Sequence, residues 1–486
     1  MEAFAEFEQA TIAAIATPAG AGGIGIIRLS GTLAPLVLAR LFRPARSKSE
    51  PPRTHQLRYG WIINPATGLP LDEVMAVFMA APATYTREDV VEIHGHGGPV
   101  VLREMLTLVL AQEGVRAAEP GEFTKRAFLN GRIDLTRAEA VLDLLNAGTR
   151  QGLEMAVAQL GGGLHAQVAG IRVALLKMLA VIEVAIDFPD DDAEIIDGQA
   201  LGEQLELLVR RPLLELLDRA RQGRIYREGA AVVILGRPNV GKSSLLNALL
   251  GEDRAIVTPV PGTTRDTIEE GLNIHGIPLR IIDTAGIRDT DEPVEGLGIE
   301  RSRRRVEAAD LVLLLVEAGA ATAAEDLALY AGVEHKKVVL VLNKVDLLSS
   351  EELKSDEERV FGPAEAGELQ IGDWASRFPS CPQVMISART GWGLGELKDA
   401  IFRQLSEGEP HHEPGHLGVP NARHEAALAR ALPAVESLAA GLSLGQAPEL
   451  LAIELQVVVA QLGEIIGEVS SDDLLDSIFS QFCLGK

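Results

Sequence analysis

The sequence predicts a multi-domain chain of α/β and all-α parts: an α+β amino-terminal domain, a helical domain built from two separated segments, and an α/β domain inserted between them. Three observations lead there. The apolar run Ala230 to Leu235 precedes Gly236-Arg237-Pro238-Asn239-Val240-Gly241-Lys242-Ser243 and a helical pattern through Leu250, which reads as strand, phosphate loop and helix. Apolar residues recur at i, i+3, i+4 spacing on both sides of that domain. The first 120 residues mix short strands with one or two helices.

The chain-wide quantities agree with a multi-domain protein. A length of 486 residues corresponds to about three domains, and 47% hydrophobic with 23% charged residues is ordinary for chains with sizeable cores. With 69 acidic and 45 basic residues the formal charge is −24. A broad basic face for RNA is therefore not expected, and a partner would supply much of the positive surface. Two cysteines, Cys381 and Cys483, make no disulfide framework, which points to a reducing compartment. No apolar run reaches the ~18 residues of a membrane span, and the acidic start Met1-Glu2-Ala3-Phe4-Ala5-Glu6 does not read as a signal peptide. A cytoplasmic location is expected.

In residues 1–120, Thr11 to Ala16, Ile24 to Leu29, Val74 to Met79 and Val90 to His94 read as strands, and Val100 to Gln112 as a helix. Gly20-Ala21-Gly22-Gly23-Ile24-Gly25 contains GxGxxG, but the dinucleotide fingerprint needs a following helix. Here Ile24, Ile26 and Ile27 continue as strand, so a tight strand-to-strand turn is expected. His94-Gly95-His96 is a metal pair without a third ligand nearby, and reads better as a glycine-rich strand end.

Residues 121–226 become helical, with Ala138 to Leu145, Leu153 to Leu160 and Leu175 to Ile186 amphipathic. Phe188-Pro189-Asp190-Asp191-Asp192 breaks the last of these, and the aspartates read as a solvated break with a cap rather than a cation site. Residues 227–408 form the inserted domain. The His411-His412-Glu413-Pro414-Gly415-His416 cluster reads as a linker. Residues 409–486 resume the helical pattern through Glu425 to Leu442 and Pro448 to Ile466, ending in Phe482-Cys483-Leu484-Gly485-Lys486. Insertion at an exposed loop with close ends explains the split.

The chemistry of the inserted domain is specific. Loop N–H groups and the helix N-terminus would face a phosphate, Lys242 would reach the terminal phosphates and Ser243 would hold Mg²⁺. Asp283-Thr284-Ala285-Gly286 closes the strand Ile277 to Ile282. Asn343-Lys344-Val345-Asp346 closes Lys337 to Leu342, and Ser387-Ala388 closes Gln383 to Ile386. These ends are where open parallel sheets bind ligands. Asp346 can accept both N–H groups of guanine's Watson–Crick edge, a pair that adenine lacks, so the pattern selects GTP and reads as a GTPase domain.

Two tasks of GTP hydrolysis have no evident residue. The position that orients water in signalling GTPases is Ile287, which cannot hydrogen-bond; the following loop offers Asp289, Asp291, Glu292 and Glu295. No arginine finger can be assigned: Arg288 is a candidate, and Arg301 to Arg305 reads as a solvated helix face. Thr258-Pro259-Val260-Pro261-Gly262-Thr263-Thr264-Arg265-Asp266 is the switch candidate, and its oxygens with the Asn239 amide could hold a monovalent cation.

With these residues in place, the chain resembles the MnmE (TrmE) family of tRNA-modification GTPases over essentially its whole length. The marks outside the inserted domain are Thr17-Pro18 with Gly22 to Arg28, Tyr85-Thr86 with Glu92 to Gly98, Pro120 to Thr124 with Arg126 to Gly131, and the Cys483-Leu484-Gly485-Lys486 end. The resemblance implies a Ras-like P-loop domain and an amino-terminal tetrahydrofolate-binding-like domain that forms a homodimer. It implies action with the flavoprotein MnmG (GidA), which uses FAD and NADH, in a heterotetramer. Together they would build carboxymethylaminomethyl or aminomethyl groups at C5 of the wobble uridine of certain tRNAs, with a one-carbon unit from 5-formyl- or 5,10-methylene-tetrahydrofolate.

Residue by residue, the resemblance implies a folate pocket at Arg28, Glu92, Arg132 and Lys486, with Cys483 in the one-carbon chemistry. It implies K⁺ at Asn239, Thr258, Val260 and Thr263, Mg²⁺ at Ser243 and Thr264, and Glu295 positioning the attacking water. GTP would be held by Asn239, Val240, Gly241, Lys242, Ser243 and Ser244, by Thr258, Pro259, Val260, Pro261, Gly262, Thr263 and Thr264, by Asp283, Thr284, Ala285 and Gly286, and by Asn343, Lys344, Asp346, Ser387 and Ala388. Where relatives often have Lys, this chain has Arg132, which keeps the charge but changes the contact geometry. The competing reading is an Era-like ribosome-assembly switch that holds RNA itself. The acidic balance, the lack of a KH-type GxxG module and the amino-terminal motifs favour the enzyme.

Overall fold

The computed structural model describes residues 10–46, 53–188, 196–253, 270–282, 306–320, 323–348, 377–378, 381–406, 418–468 and 471–486. The chain gathers into two compact units: one of Met1–Leu142, His165–Leu205 and Pro433–Lys486, the other of Asp143–Leu164 and Glu206–Leu432.

The first unit holds a seven-stranded sheet of β1 (Thr11–Ile15), β2 (Gly22–Ser30), β3 (Phe42–Pro44), β4 (Arg58–Ile63), β5 (Pro70–Met79), β6 (Val90–Gly97) and β7 (Val115–Ala117), in the order β3-β4-β5-β6-β2-β1-β7. Its pairs are antiparallel except β1 with β7. Alternation sets the two faces. Ile27, Leu29, Val91 and Ile93 bury against helices α1 (Ala34–Leu41) and α2 (Pro99–Leu110) through Val37, Leu41, Leu102 and Met105. Ile26, Arg28, Glu92 and His94 point the other way, where they stay half-buried. The GxGxxG stretch is the turn into β2, as expected, and β2 carries a register shift between Gly22 and Ile24.

Beside β1, that second face is covered by Phe123 of helix α3 (Glu122–Leu129), packed with Ile12 and Ala14 and touched by Tyr85. Helices α4 (Leu135–Asn146) and α14 (Asp472–Phe479) extend the packing through Leu135, Ala138, Leu475, Ile478, Phe479 and Phe482. The ion pair Lys125–Asp476 at 2.7 Å fastens α3 to α14. The last residues of the chain are thereby held against its first strands. Helix α6 (Gly163–Asp187) buries Leu175, Met178 and Ile182 on the expected stripe, begins twelve residues before the expected Leu175 with Val168 and Ile171 also buried, and ends before Phe188. The aspartates after it and the histidine cluster at 411–416 lie outside the described residues.

The second unit holds a six-stranded sheet of β8 (Ala230–Leu235), β9 (Glu270–Ile274), β10 (Ile277–Ile282), β11 (Leu311–Glu317), β12 (Val338–Asn343) and β13 (Gln383–Met385), in the order β13-β12-β11-β8-β10-β9. All pairs are parallel except the β9–β10 hairpin. The sequence reading omitted β9 and the central strand β11. Leu311 to Val316 are buried on both faces, so β11 shows no alternation, and no motif closes it. Helices α5 (Arg150–Leu160), α8 (Arg211–Glu228), α9 (Lys242–Asp253), α10 (Ala324–Ala331) and α11 (Leu394–Leu405) belong to this unit.

The remaining helices are α7 (Gly198–Leu205), α12 (Ala422–Leu444) and α13 (Pro448–Ile466). Helix α12 is the one described helix long and apolar enough to cross a membrane. Its Ala427, Leu428, Ala431, Val435 and Leu438 are buried in the protein, as in a core helix.

Candidate functional site

The nucleotide residues meet at the carboxyl ends of β8, β11, β12 and β13. Residues 236–241 bridge β8 to α9, and Asn239 takes a left-handed backbone with φ 64°. Gly241 is required by space: a Cβ there would lie 2.3 Å from Nδ2 of Asn343. Lys242 Nζ donates to the carbonyls of Gly236 at 2.9 Å and Arg237 at 2.8 Å, so the ammonium rests on the loop whose N–H groups face a phosphate. Ser243 and Ser244 are exposed at the start of α9. The Asn239 side chain is exposed and has no partner among the described residues.

Asn343 is buried and its amide bonds at both ends. Nδ2 donates to Val240 O at 2.8 Å and Oδ1 accepts from Ala388 N at 3.0 Å, which ties the phosphate loop to the Ser387-Ala388 turn. Asn343 thus fixes the base pocket from beneath. Asp346 is exposed, and its Oδ1 accepts from Ser387 Oγ at 2.8 Å, which orients the carboxylate. Lys344, left-handed at φ 68°, pairs with Glu317 at the end of β11 at 2.8 Å. The sequence reading missed Asp326. It is buried in α10 and accepts from Arg237 Nε at 2.9 Å, holding the outer limb of the phosphate loop. No local motif marks it, because Arg237 lies 89 positions away.

Thr258, Pro259, Val260, Pro261, Gly262, Thr263, Thr264, Asp283, Thr284, Ala285, Gly286, Ile287, Arg288, Glu295 and the Arg301 to Arg305 run lie outside the described residues.

A second cluster forms in the first unit, on the open side of its sheet. Arg28 of β2 and Glu92 of β6 are cross-strand partners. Arg28 donates to Glu92 Oε1 at 2.9 Å and to Gly485 O at 3.1 Å, so one guanidinium joins the sheet to the chain's end. His94 Nε2 contacts Glu92 Oε2 at 3.1 Å. Burial pushes the Glu92 carboxyl up, but Arg28 and His94 outweigh it and leave its pKa below the ordinary 4.5. Lys486 comes within electrostatic reach of Arg28, Cys483 and Glu92; burial, then Arg28, lower its ammonium pKa from 10.5. Cys483 is exposed.

Arg132 stacks over Tyr85 at 5.8 Å, and Arg28 over Phe123 at 5.8 Å. Burial raises the Tyr85 phenol, whose hydroxyl meets Thr124 Oγ1 at 3.0 Å. Arg28, Glu92, Arg132, Lys486 and Cys483 thus gather around two aromatic rings, and Tyr85, Phe123 and His94 join them. His96 bonds Asp72 instead, at 2.7 Å. His94-Gly95-His96 lies at the end of β6.

Comparison with known proteins bears on both clusters. A model of the MnmE helical domain matches residues 135–483, and a model of the GTP-binding protein TrmE N-terminus matches residues 11–132. A tRNA modification GTPase MnmE of Desulfotalea psychrophila is 48% identical over 481 residues, covering 99% of each chain. That of Geobacillus kaustophilus is 47% identical over 479 residues, covering 98% of this chain and 99% of its own. A crystal structure of Aquifex aeolicus Era bound to GDP·AlF4⁻ is 29% identical, covers 42% of this chain and 66% of its own, and has a TM-score of 0.27. Full-length identity at this level, with family models matching residues 11–132 and 135–483, means that the chain belongs to the MnmE family of tRNA modification GTPases.

Proposed function

We propose that this chain hydrolyses GTP to drive modification of C5 of the wobble uridine of certain tRNAs, with a one-carbon unit drawn from a reduced folate. The observation that carries the reading is the docking of Gly485 and Lys486 onto Arg28 and Glu92, 457 positions away in sequence for the Arg28–Gly485 bond. A bare GTP switch has no use for a chain end built into a charged, aromatic-walled cluster in the unit that lacks the phosphate loop.

The donor set fits a folate. Glu92 can accept paired N–H groups of an aminopyrimidinone ring, Phe123 and Tyr85 offer faces for stacking, and Arg28, Arg132 and Lys486 match its carboxylates. When bound, a 5-formyl- or 5,10-methylene-tetrahydrofolate supplies the one-carbon unit. Lys486, with its ammonium pKa lowered by burial, and Cys483, exposed beside it, are the groups able to hold or move a proton there. Cys483 in that role is part of the same proposal.

At the nucleotide site, Lys242 exchanges its two carbonyl contacts for β- and γ-phosphate oxygens, and Asp346, braced by Ser387, takes the guanine edge. The exposed hydroxyl of Ser243 fits Mg²⁺, and the Asn239 amide oxygen, without a partner among the described residues, fits K⁺. Thr264 would complete the Mg²⁺ set, and Thr258, Val260 and Thr263 the K⁺ set. Glu295 would align the water. Turnover would then depend on two GTPase domains facing each other in a homodimer. A cytoplasmic heterotetramer with an MnmG-type flavoprotein carrying FAD and using NADH completes the proposal. The Era-like alternative leaves the 11–132 match and the tail docking without a purpose.

Mass spectrometry of wobble nucleosides from a strain lacking the gene, with and without complementation, tests the reading. Restoration of the C5-modified uridine by the wild-type chain is expected. Unchanged nucleosides in the deletion strain would refute it.

A further inference from the structure

The acidic chain carries a narrow basic strip along one edge of its amino-terminal sheet. Residues 40–58 contain six Lys or Arg and one Glu, in a chain of 45 basic and 69 acidic residues. Arg40 ends α1, Arg43 lies on the edge strand β3, Arg46 follows it, and Arg58 opens β4. Pairing puts Arg43 opposite Trp61 and Pro44 opposite Gly60, and Ala45 N donates to Tyr59 O at 3.0 Å, which brings Arg46 beside Arg58. Arg40, Arg43 and Arg46 are exposed. Among the described residues Arg40, Arg43, Arg46 and Arg58 have no ion-pair partner.

Charge alone would serve to keep an edge strand from pairing with another chain. The aromatic side chains beside it do not serve that end. Tyr59 and Trp61 stand on the open face with ring centroids 5.5 Å apart, Tyr59 is 45% exposed, and its hydroxyl is held by Glu73. Arg43 shares the face of Tyr59 and Trp61, while Arg46 and Arg58 flank the same edge from the other face; cations along an edge beside a fixed, exposed ring are what a single-stranded nucleic acid uses, phosphates on the cations and a base on the ring. The same face carries Glu92 two strands away from Tyr59 and Trp61, about 10 Å at the usual strand spacing. A few unpaired nucleotides span that distance.

We propose that this edge is a docking strip for an unpaired loop of the tRNA substrate, with Arg43, Arg46 and Arg58 on backbone phosphates and Tyr59 with Trp61 stacking a base. The inference rests on the tRNA-modifying function proposed above, and it explains how a chain of charge −24 engages RNA through a strip rather than a broad face.

The test uses the full-length chain and an unmodified tRNA transcript, with affinity measured by fluorescence anisotropy from about 50 to 200 mM potassium chloride. The variant R43A/R46A/R58A should bind about tenfold more weakly at the low-salt end, with a salt slope shallower by about two to three. Y59A should weaken binding and leave the slope unchanged. The control R103A/R224A should match the wild type, and GTP hydrolysis should be unaltered throughout. A triple variant with wild-type affinity and slope overturns the proposal, provided the wild-type gene restores wobble modification in the deletion strain. If the wild-type gene restores nothing, the function itself fails and the strip falls with it. Retained tRNA affinity with loss of a co-purifying protein overturns it as well, and gives the strip to an acidic protein face.

Discussion

Substituting Gly485 by alanine should impair the proposed folate cluster and spare GTP hydrolysis. Gly485 is buried with φ 88°, a conformation that costs an L-residue about 1–2 kcal/mol. A Cβ would lie 2.5 Å from Ile15 O and 2.9 Å from Ala16 Cα, both backbone atoms of the sheet, so the tail rather than the strand must move. Movement also stretches the Arg28–Gly485 bond, a charge-assisted contact worth about 1.5–3 kcal/mol. Taken together, even the lower ends of these ranges, about 2.5 kcal/mol, exceed the ~1.4 kcal/mol that corresponds to tenfold. Reduced-folate affinity, measured by calorimetry, should fall at least tenfold in G485A, and wobble modification in cells should approach the deletion level. GTP hydrolysis and the melting temperature should stay near wild type, because Cys483 and Leu484 are exposed and the tail adds little core. The control Leu484→Ala, at a side chain 62% exposed, should bind folate normally. Wild-type folate binding by G485A would refute the argument that the backbone at this position sets Lys486 in place.

Three further outcomes are expected. Asp346→Asn should weaken GTP and admit xanthosine triphosphate, since an amide can donate to the xanthine C2 carbonyl; calorimetry with both nucleotides decides, and unchanged GTP affinity would sink it. Potassium should raise turnover over sodium at equal ionic strength, while Glu295→Ala should abolish hydrolysis with GTP binding retained; equal rates in both salts count against a cation in the finger's place. Glu92 has a folded-state pKa held below 4.5 by Arg28 and His94 against the opposing effect of burial. Its stabilising contribution is therefore complete above about pH 4.5 and is lost as the pH falls through the lowered value. Acid unfolding of Glu92→Gln should lack that step, and identical pH profiles for the two proteins would remove the Arg28–Glu92 pair as a source of stability.

Most of the nucleotide fold is legible because its signals are local. Strand Ala230–Leu235 is delimited on one side by Glu228-Gly229 and on the other by the phosphate loop, and the structure keeps both bounds. Strand β12 runs one residue further than the reading, to Asn343, because that side chain is buried as part of the strand's own end. β11 is illegible for the opposite reason: a strand covered on both faces loses the period of two that would announce it. β3 and β4 escape because Arg58-Tyr59-Gly60-Trp61 mixes charge, aromatics and glycine. Its outward residues belong to an open face rather than to a polar solvent face.

The two clusters differ in legibility for a physical reason. Phosphate binding needs backbone N–H groups in sequence order, so spacing alone encodes it. The other cluster draws on residues 28, 85, 92, 123, 132, 483 and 486, and no spacing rule connects Arg28 with Gly485. Each segment is held by its own packing: β2 and β6 by ladder bonds, Phe123 by Ile12 and Ala14, and the tail by Phe479 and Phe482 on Leu135. The site is therefore no stronger than the weakest of those attachments. The tail is that one, since past Phe482 its described holds are the Arg28–Gly485 bond, a long bond from Gly121 N to Cys483 O at 3.5 Å and the close fit of a single glycine. A loosely held end is also the part that can leave and return with little cost to the core, so in the function proposed above Lys486 and Cys483 could be withdrawn from Glu92 without unfolding anything else.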